Sequence, residues 1–515
     1  MVSILDPAIS TKIRKMQGRV RWQHPLIQRA HIDQTRLQIE DTSPAQEAFS
    51  FLVIGDSGSG PHPDHHPQRR IARRMVPHLE DCSFLLHTGD VVYQVGSSEQ
   101  YPANFIAPYR DWLVGGEQPQ HIAYDAMVFR HPFLPVLGNH DYYNLPALYG
   151  WLIRASKPLR RWLGNLEPNV GWHGSYDGDA FARAFLDYLK GVPAAQLPQH
   201  LQTHYTVPTD TGYCLRYRPG QFTRLPNRYY QFRHGDIDFF ALDSSTFNAP
   251  APSASEDYRR QLQRRRQAVH HQRQQVLEEA AQLHRQGETV AERWDDLQAK
   301  LEQFDEVLLD LEKQLPPPDA SPPQALHVDW QQLEWLAQRL IASWRTPTVR
   351  GRVLYFHHPP YVSEVTKWHQ GQTLAVRQHL RWVLDRVAVA VSPSPSGQPL
   401  VDLVLCGHAH CFEYLRTVET GHGDAHLNWI VCGGSGLSLR RQRPEGADLY
   451  EGNHLVAKSQ LFVGLTGHRS ERRRPYSFLR IDVQPGHPPK FVVRPYISER
   501  YHQQWQDYGL AQLVL

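Results

Sequence analysis

A chain of 515 residues with 55 Lys and Arg, 52 Asp and Glu and a formal net charge of +3 lacks the strong basic excess of a nucleic-acid binder. Its length allows roughly three domains' worth of chain, or one large core with insertions, and no run approaches the ~20 apolar residues of a membrane span. Five cysteines without Cys-x-x-Cys spacing, and a basic start (Lys12, Arg14, Lys15, Arg19, Arg21) without an apolar signal stretch, argue for a reducing, cytoplasmic setting and against a disulfide framework.

Residues 1–47 are polar with scattered apolar positions (Ile13, Val20, Trp22, Leu26, Ile27), and read as an N-terminal extension packed on the body. From 50 to 140 the pattern alternates strand, helix, strand, loop, strand: FSFLVIGD, IARRMVPHL, SFLLHTGD, PFLPVLGN. That βαβ rhythm predicts an α/β (α+β) fold with functional residues at the C-terminal ends of strands. Residues 144–226, irregular and rich in Trp, Tyr and Pro, read as a cap-like insertion. YYQFRHGDIDFFALDSS at 229–245 predicts two strands joined by a Gly-Asp turn.

After 245 the composition changes. From Ser255 to about Leu315 the chain is charged, Gln-rich and free of proline. Val290, Trp294, Leu297, Leu301, Phe304, Leu308, Leu311 and Leu315 recur at spacings of four and three, a heptad seam. Leu262, Val269, Val276 and Leu283 repeat at sevens before it, and Gly287 separates the two stretches. The pattern predicts an antiparallel helical hairpin over 252–318 that projects from the body, ended by Pro316, Pro317, Pro318, Pro322 and Pro323. The seam reads either as a self-contained staple between the two helices or, because its first stripe is thin and leaves apolar surface, as the interface of a homo-oligomer. WQQLEWLAQRL at 330–340 predicts an amphipathic helix; RVLYFHH, VDLVLCGH, LNWIVCGG, YSFLRIDV and KFVVRPYI predict strands. The hairpin is therefore an insertion within one catalytic domain of 48–498, followed by a C-terminal tail of 499–515.

Five short motifs each place Asp, Asn or His directly after an apolar run: IGDSG at 54–58, TGDVVY at 88–93, LGNHDY at 137–142, YFHHPPY at 355–361 and LVLCGHAH at 403–410. Carboxylate and amide oxygens suit hard cations and imidazole suits iron, zinc or manganese, so the mixture points to transition metals rather than calcium. Asp56 and Asp90 end separate strands, where their carboxylates can meet and one can bridge two ions. Asn139 offers a carbonyl oxygen; His357, His408 and His410 offer nitrogens. On a straight strand His408 and His410 face opposite ways, so both reach a metal only if the backbone bends, and Gly407 is the residue expected to permit the turn.

This set, in this order, resembles the calcineurin-like metallophosphoesterase superfamily, and within it the purple acid phosphatase branch. Many members carry Asp-x-His in the first motif, whereas here Gly58 follows Asp56 by two; Gly89-Asp90-x-x-Tyr93 has the purple-phosphatase form. The resemblance implies a four-layer αββα sandwich. It implies a first metal, ferric iron, held by Asp56, Asp90, Tyr93 and His410. It implies a second metal, iron, zinc or manganese, held by Asp90, Asn139, His357 and His408. His140 is implied as the catalytic contact to substrate or leaving group, and hydrolysis of a phosphomonoester by hydroxide generated at the metal pair is the implied reaction. The substrate is expected to be a phosphorylated small molecule or protein, with neither nucleic acid nor membrane as partner.

The residues leave some choices open. Tyr93 reads either as a ligand or as packing. His-x-Pro selects His357 over His358, leaving His358 as a support or, with Asn139 and Arg440, a substrate contact. Arg440, Arg441 and Arg443 suit a phosphate or a solvated surface, and His62, His65 and His66 read as a solvated loop. A phosphodiesterase acting on cyclic nucleotides or nucleotide diesters, and a scaffold built on the hairpin, are the rival functions.

Overall fold

The computed structural model describes residues 4–40, 47–60, 65–145, 174–250, 255–286, 291–315, 328–391, 398–436, 438–468 and 471–515. His62, Gly287, Val290, the prolines at 316–323 and residues 146–173 of the cap-like segment lie outside the described residues. In chain order the first strands are β1 (Ile32–Ile39), β2 (Phe49–Ile54), β3 (Phe84–His87), β4 (Phe133–Pro135), β5 (Val207–Thr209) and β6 (Gly212–Tyr217). Next come β7 (Tyr230–His234), β8 (Ile237–Ala241), β9 (Gly351–Tyr355), β10 (Leu403–Cys406), β11 (Phe412–Thr417) and β12 (Asn428–Cys432). The last are β13 (Asp448–Glu451), β14 (His454–Val463), β15 (Arg473–Gln484), β16 (Lys490–Tyr501), β17 (Gln504–Gly509) and β18 (Leu513–Val514).

One sheet runs β13-β14-β11-β12-β10-β9-β8-β7-β1-β6-β5, with β8, β9, β10 and β12 parallel. The other runs β17-β16-β15-β2-β3-β4, with β2, β3 and β4 parallel and β18 beside β16. Parallel strands are covered on both faces, which is why FSFLVI, FLLH and LVLC are apolar almost throughout. Between the sheets Phe51, Phe84, Phe232 and Phe239 interlock, with Phe51 and Phe239 edge to face at 5.5 Å. Outside the first sheet, Phe240, Leu354 and Val404 pack on the helices Trp330–Trp344 and Gly371–Val391 through Leu336, Leu340, Leu380 and Val383. Helix Pro67–Met75 covers the second sheet with Ile71, Ala72 and Met75. The layers are helix, sheet, sheet, helix, as the resemblance implied.

Two terminal segments are more deeply built in than their composition suggested. β1 lies within the first sheet between β6 and β7. β16 crosses the expected boundary at 498 without interruption and β17 pairs with it. Edge strands such as QWQDYG alternate without a strong apolar face, so pattern alone reads them as tail.

The insertion forms two helices, Glu256–Gln286 and Ala291–Gln314. Leu262 and Val269 meet Val307, Leu308 and Leu311, while Val276 and Ala280 meet Leu297 and Leu301, which is antiparallel pairing. The pair does not stand clear of the body as expected. A second stripe on the latter helix, Asp296, Ala299, Glu302, Glu306, Asp310 and Lys313, again spaced by threes and fours, docks against it. Asp296 pairs with Arg472 and Arg474, and Lys313 reaches Asp6 at 2.7 Å. Asp310 accepts the Gly371 and Gln372 backbone N–H groups, both at 2.9 Å. This carboxylate caps helix Gly371–Val391 from 61 residues upstream, so the helix carries no local capping signal in its own sequence. We expect Asp310→Ala to cost about 1–2 kcal/mol, read as a lower melting temperature together with faster proteolysis at the hairpin. Unchanged melting and cleavage would mean the hairpin docks without this cap.

Candidate metal centre

The five motifs end β2, β3, β4, β9 and β10, and their side chains converge where the two sheets' parallel strands terminate. Asp56, Asp90 and His408 have left-handed backbones, with φ of 53°, 56° and 65°. Side-chain-bearing residues rarely adopt this conformation, and it clusters at functional sites. The bend in LVLCGHAH is therefore carried by His408 rather than by Gly407. Glycine is needed at 407 for another reason: a Cβ there would stand 2.6 Å from Asp56 Oδ2 and 2.8 Å from Thr88 Oγ1. A Cβ at Gly58 would stand 2.0 Å from the Val91 carbonyl oxygen, so this backbone has no room for the histidine that other branches carry.

Two groups of donor atoms meet at Asp90. In the first, Tyr93 Oη lies 2.9 Å from Asp56 Oδ1, 2.8 Å from Asp90 Oδ2 and 3.3 Å from His410 Nε2. In the second, His357 Nε2 lies 2.9 Å from Asn139 Oδ1, 3.2 Å from Asp90 Oδ2 and 3.2 Å from His408 Nδ1. Ligands about 2.1 Å from a transition-metal ion and at right angles to one another sit about 3 Å apart. Both sets have that spacing, and Asp90 Oδ2 belongs to each. The donor chemistry and spacing fit a pair of ions bridged by Asp90, and all seven expected ligand residues are brought together.

The supporting bonds fix which nitrogen each histidine presents. His357 Nδ1 donates to the Thr88 carbonyl at 2.9 Å and His410 Nδ1 to the Ser438 carbonyl at 2.9 Å, leaving each Nε2 facing the site. His408 is reversed, its Nδ1 turned inward and its Nε2 accepting from Lys367 Nζ and Gln372 Nε2 at 3.0 and 2.9 Å. This places the ring proton on Nδ1, so ligation through Nδ1 requires that proton to leave or to move to Nε2. Asn139 Nδ2 donates to Tyr143 Oη at 2.8 Å, which orients its carbonyl oxygen to the cluster. Such outer bonds are half of a metal site's construction.

Burial sets the protonation of the cluster's side chains. Burial, with the Asp90 charge beside it, raises the Asp56 carboxyl to about 7. Burial also pushes Asp90 up, but His357 and His140 more than reverse this and hold it well below the usual carboxylate range. His357 is depressed by burial yet raised to about 9 overall by Asp90. Tyr93 is pushed well above the ordinary phenol by burial and the two carboxylates, while burial holds His408 and His410 low and neutral. The protons on Asp56, Tyr93 and His357 thus supply the positive charge that cations would bring, and a bound cation inverts this logic.

His140 is 5% exposed, with its ring 4.1 Å from that of Tyr93. Its Nδ1 donates to the Gln94 carbonyl at 2.5 Å, and its Nε2, 4.0 Å from Asp90 Oδ2, is buried without a partner among the described residues. His358 is engaged at both nitrogens, by Ser244 Oγ at 2.8 Å and Asn248 Nδ2 at 3.1 Å, so it buttresses the site and has no nitrogen to offer a substrate. Arg440 is buried beside His410, donating its backbone N–H to the His410 carbonyl at 2.9 Å. His66 caps helix Pro67–Met75. Sequence reasoning missed Asp141, which accepts the Asp90, Val91 and Gly138 N–H groups and so braces the Asp90 turn. It also missed Lys367 and Glu306. Asp141 stands within GNHD and was findable; the other two lie in no motif.

Residues 49–180 match the family model described as calcineurin-like phosphoesterase. No curated protein matches the chain. Solved structures similar in outline include a purple acid phosphatase from yellow lupin seeds, at 12% identity and TM-score 0.41, covering 92% of this chain and 55% of that one. The chain thus spans little more than half the length of that phosphatase. Others are the anchor GAP50 of the Plasmodium inner membrane complex (12%, TM-score 0.39, covering 90% and 88%) and PhoD (13%, TM-score 0.38, covering 92% and 71%). Likeness of this degree carries nothing about activity. The family match supports a metal-dependent phosphoesterase. Over this segment, about a quarter of the chain, the sequence is similar to the calcineurin-like phosphoesterases.

Loading the site with cations must displace the protons on Asp56, His357 and Tyr93. Protons compete, so we expect affinity for Zn(II) or Mn(II) to rise between pH 6 and 9, spanning the Asp56 and His357 values of about 7 and about 9. Calorimetry in buffers of different ionisation enthalpy measures this as proton release. Affinity independent of pH with no protons released would contradict the assignment.

Proposed function

We propose that the chain hydrolyses phosphomonoesters of a small molecule or protein at a two-metal site, with ferric iron at the Asp56–Asp90–Tyr93–His410 position and iron, zinc or manganese at the other. The observation that carries this reading is Tyr93 Oη, seated within 3.3 Å of Asp56, Asp90 and His410, beside a Gly58 that cannot become histidine. A phenolate suits a trivalent ion, and a bound cation would offset its cost of ionisation in a buried site. Two bound cations would supply an activated water and neutralise charge on the phosphoryl oxygens.

The chain's own groups do the rest. Asp90 and Asp56 fix the charge of the site, and the Thr88 and Ser438 carbonyls keep His357 and His410 in the tautomer that faces it. His140 is held at Nδ1 and points an unpartnered Nε2 into the site, the arrangement needed to give a proton to a leaving oxygen. A cytoplasmic location belongs to the same proposal, supported by five buried, unpaired cysteines; no helix among the described residues is long and apolar enough to cross a membrane.

His140→Ala should lower kcat on p-nitrophenyl phosphate by about 10²–10⁴ with metal content unchanged; loss of both metals would make His140 a structural residue instead. Iron-loaded protein should show a visible charge-transfer band that Tyr93→Phe removes. A colourless di-manganese protein that prefers bis(p-nitrophenyl) phosphate would replace this reading with the diesterase.

A further inference from the structure

The ligand side chains and His140 are at most 5% exposed, and part of what covers them is the second hairpin helix, Ala291–Gln314. Its Glu306 carboxylate lies 2.6 Å from Lys367 Nζ, and Lys367 Nζ is itself 3.0 Å from His408 Nε2. Both side chains are buried, 8% and 2% exposed. Arg440 reaches the same helix, donating from Nη1 to the Ala299 carbonyl at 3.1 Å. Its Nη2 is buried with no partner among the described residues. A buried guanidinium with a spare donor and a buried ammonium, both close enough to act on Glu306, are a donor set that suits an anion. The anion in reach is Glu306: burial pushes its carboxyl up, but Lys367 and Arg440 bring it down to about 2.

We propose that Lys367 and Arg440 form an anion site beside the metal centre that takes the phosphoryl oxygens of the substrate, and that Glu306 of the hairpin occupies it as a built-in competitor when no substrate is bound. The inference rests on the phosphoesterase reading for the identity of the anion. It gives the hairpin a place in the reaction: an ester enters only as Glu306 leaves, so the docked helix selects for ligands whose charge outbids a single carboxylate. A phosphate dianion does so, since charge-assisted bonds to Arg and Lys grow with the charge on the acceptor.

The test is inorganic phosphate binding to the metal-loaded full-length protein by isothermal titration calorimetry. Glu306→Gln should tighten phosphate about tenfold, and Lys367→Met and Arg440→Met should each weaken it about tenfold, one charge-assisted hydrogen bond's worth. Glu306→Ala should tighten it likewise, and serves if the glutamine variant fails to fold. Weaker binding in both Glu306 variants would make Glu306 a support for Lys367 and overturn the competitor. Binding within twofold of the parent in both Lys367→Met and Arg440→Met would overturn the site. Phosphate needs no turnover to bind, so the expected pattern without ester hydrolysis would keep the anion site and remove the phosphomonoesterase.

Discussion

Two carboxylates, Asp56 and Asp90, are fully buried with oxygens within 4.8 Å of one another and of His357. At an effective dielectric of about 20, two unit charges at that distance repel by about 3 kcal/mol, more than one neutral hydrogen bond returns. The rest of the centre answers this constraint. Without cations, protons on Asp56, His357 and Tyr93 supply the compensating charge, and each sits on an atom that a metal would need. The site is thus a place where positive charge must reside, and the fold determines only which kind.

The fold meets that demand by geometry at strand ends. Parallel strands in both sheets finish at one level, and left-handed turns at Asp56, Asp90 and His408 swing their side chains inward where extended backbone would carry them past. Glycines at 58, 138 and 407 let those turns approach: a Cβ at Gly138 would stand 2.0 Å from Asp90 Oδ1. Asp141 ties the Asp90 and Gly138 turns together through their N–H groups. The hairpin contributes as well, through Asp310 at the start of helix Gly371–Val391 and through Glu306 against Lys367. An element inserted in the sequence has become a wall of the site.

Much of this could be read from the chain because apolar runs followed by Asp, Asn or His report both a strand and its end. The sandwich strands and the grouping of the seven metal-binding candidates follow from that pattern, and the helix Trp330–Trp344 from its amphipathic spacing. Three things did not. The bend at Gly407-His408 was assigned to glycine by propensity, whereas close approach to Asp56 demands the glycine and histidine takes the strained φ. Helix Gly371–Val391 was not foreseen because its cap comes from another element. Lys367 and Glu306 lie in no motif, and a stripe of charged residues opposite a heptad seam looks like a solvated face until the body it docks against is known. The stripe's spacing of three and four was the available signal.

The central claim is that Asp90 is shared by two ions. Metal analysis of equilibrium-loaded protein, beside its Asp90→Ala and Asn139→Ala variants, tests it most directly. The account predicts two ions per chain in the parent, one in Asn139→Ala and none in Asp90→Ala. A parent that holds a single ion, or an Asp90→Ala variant that keeps one at full affinity, would contradict it.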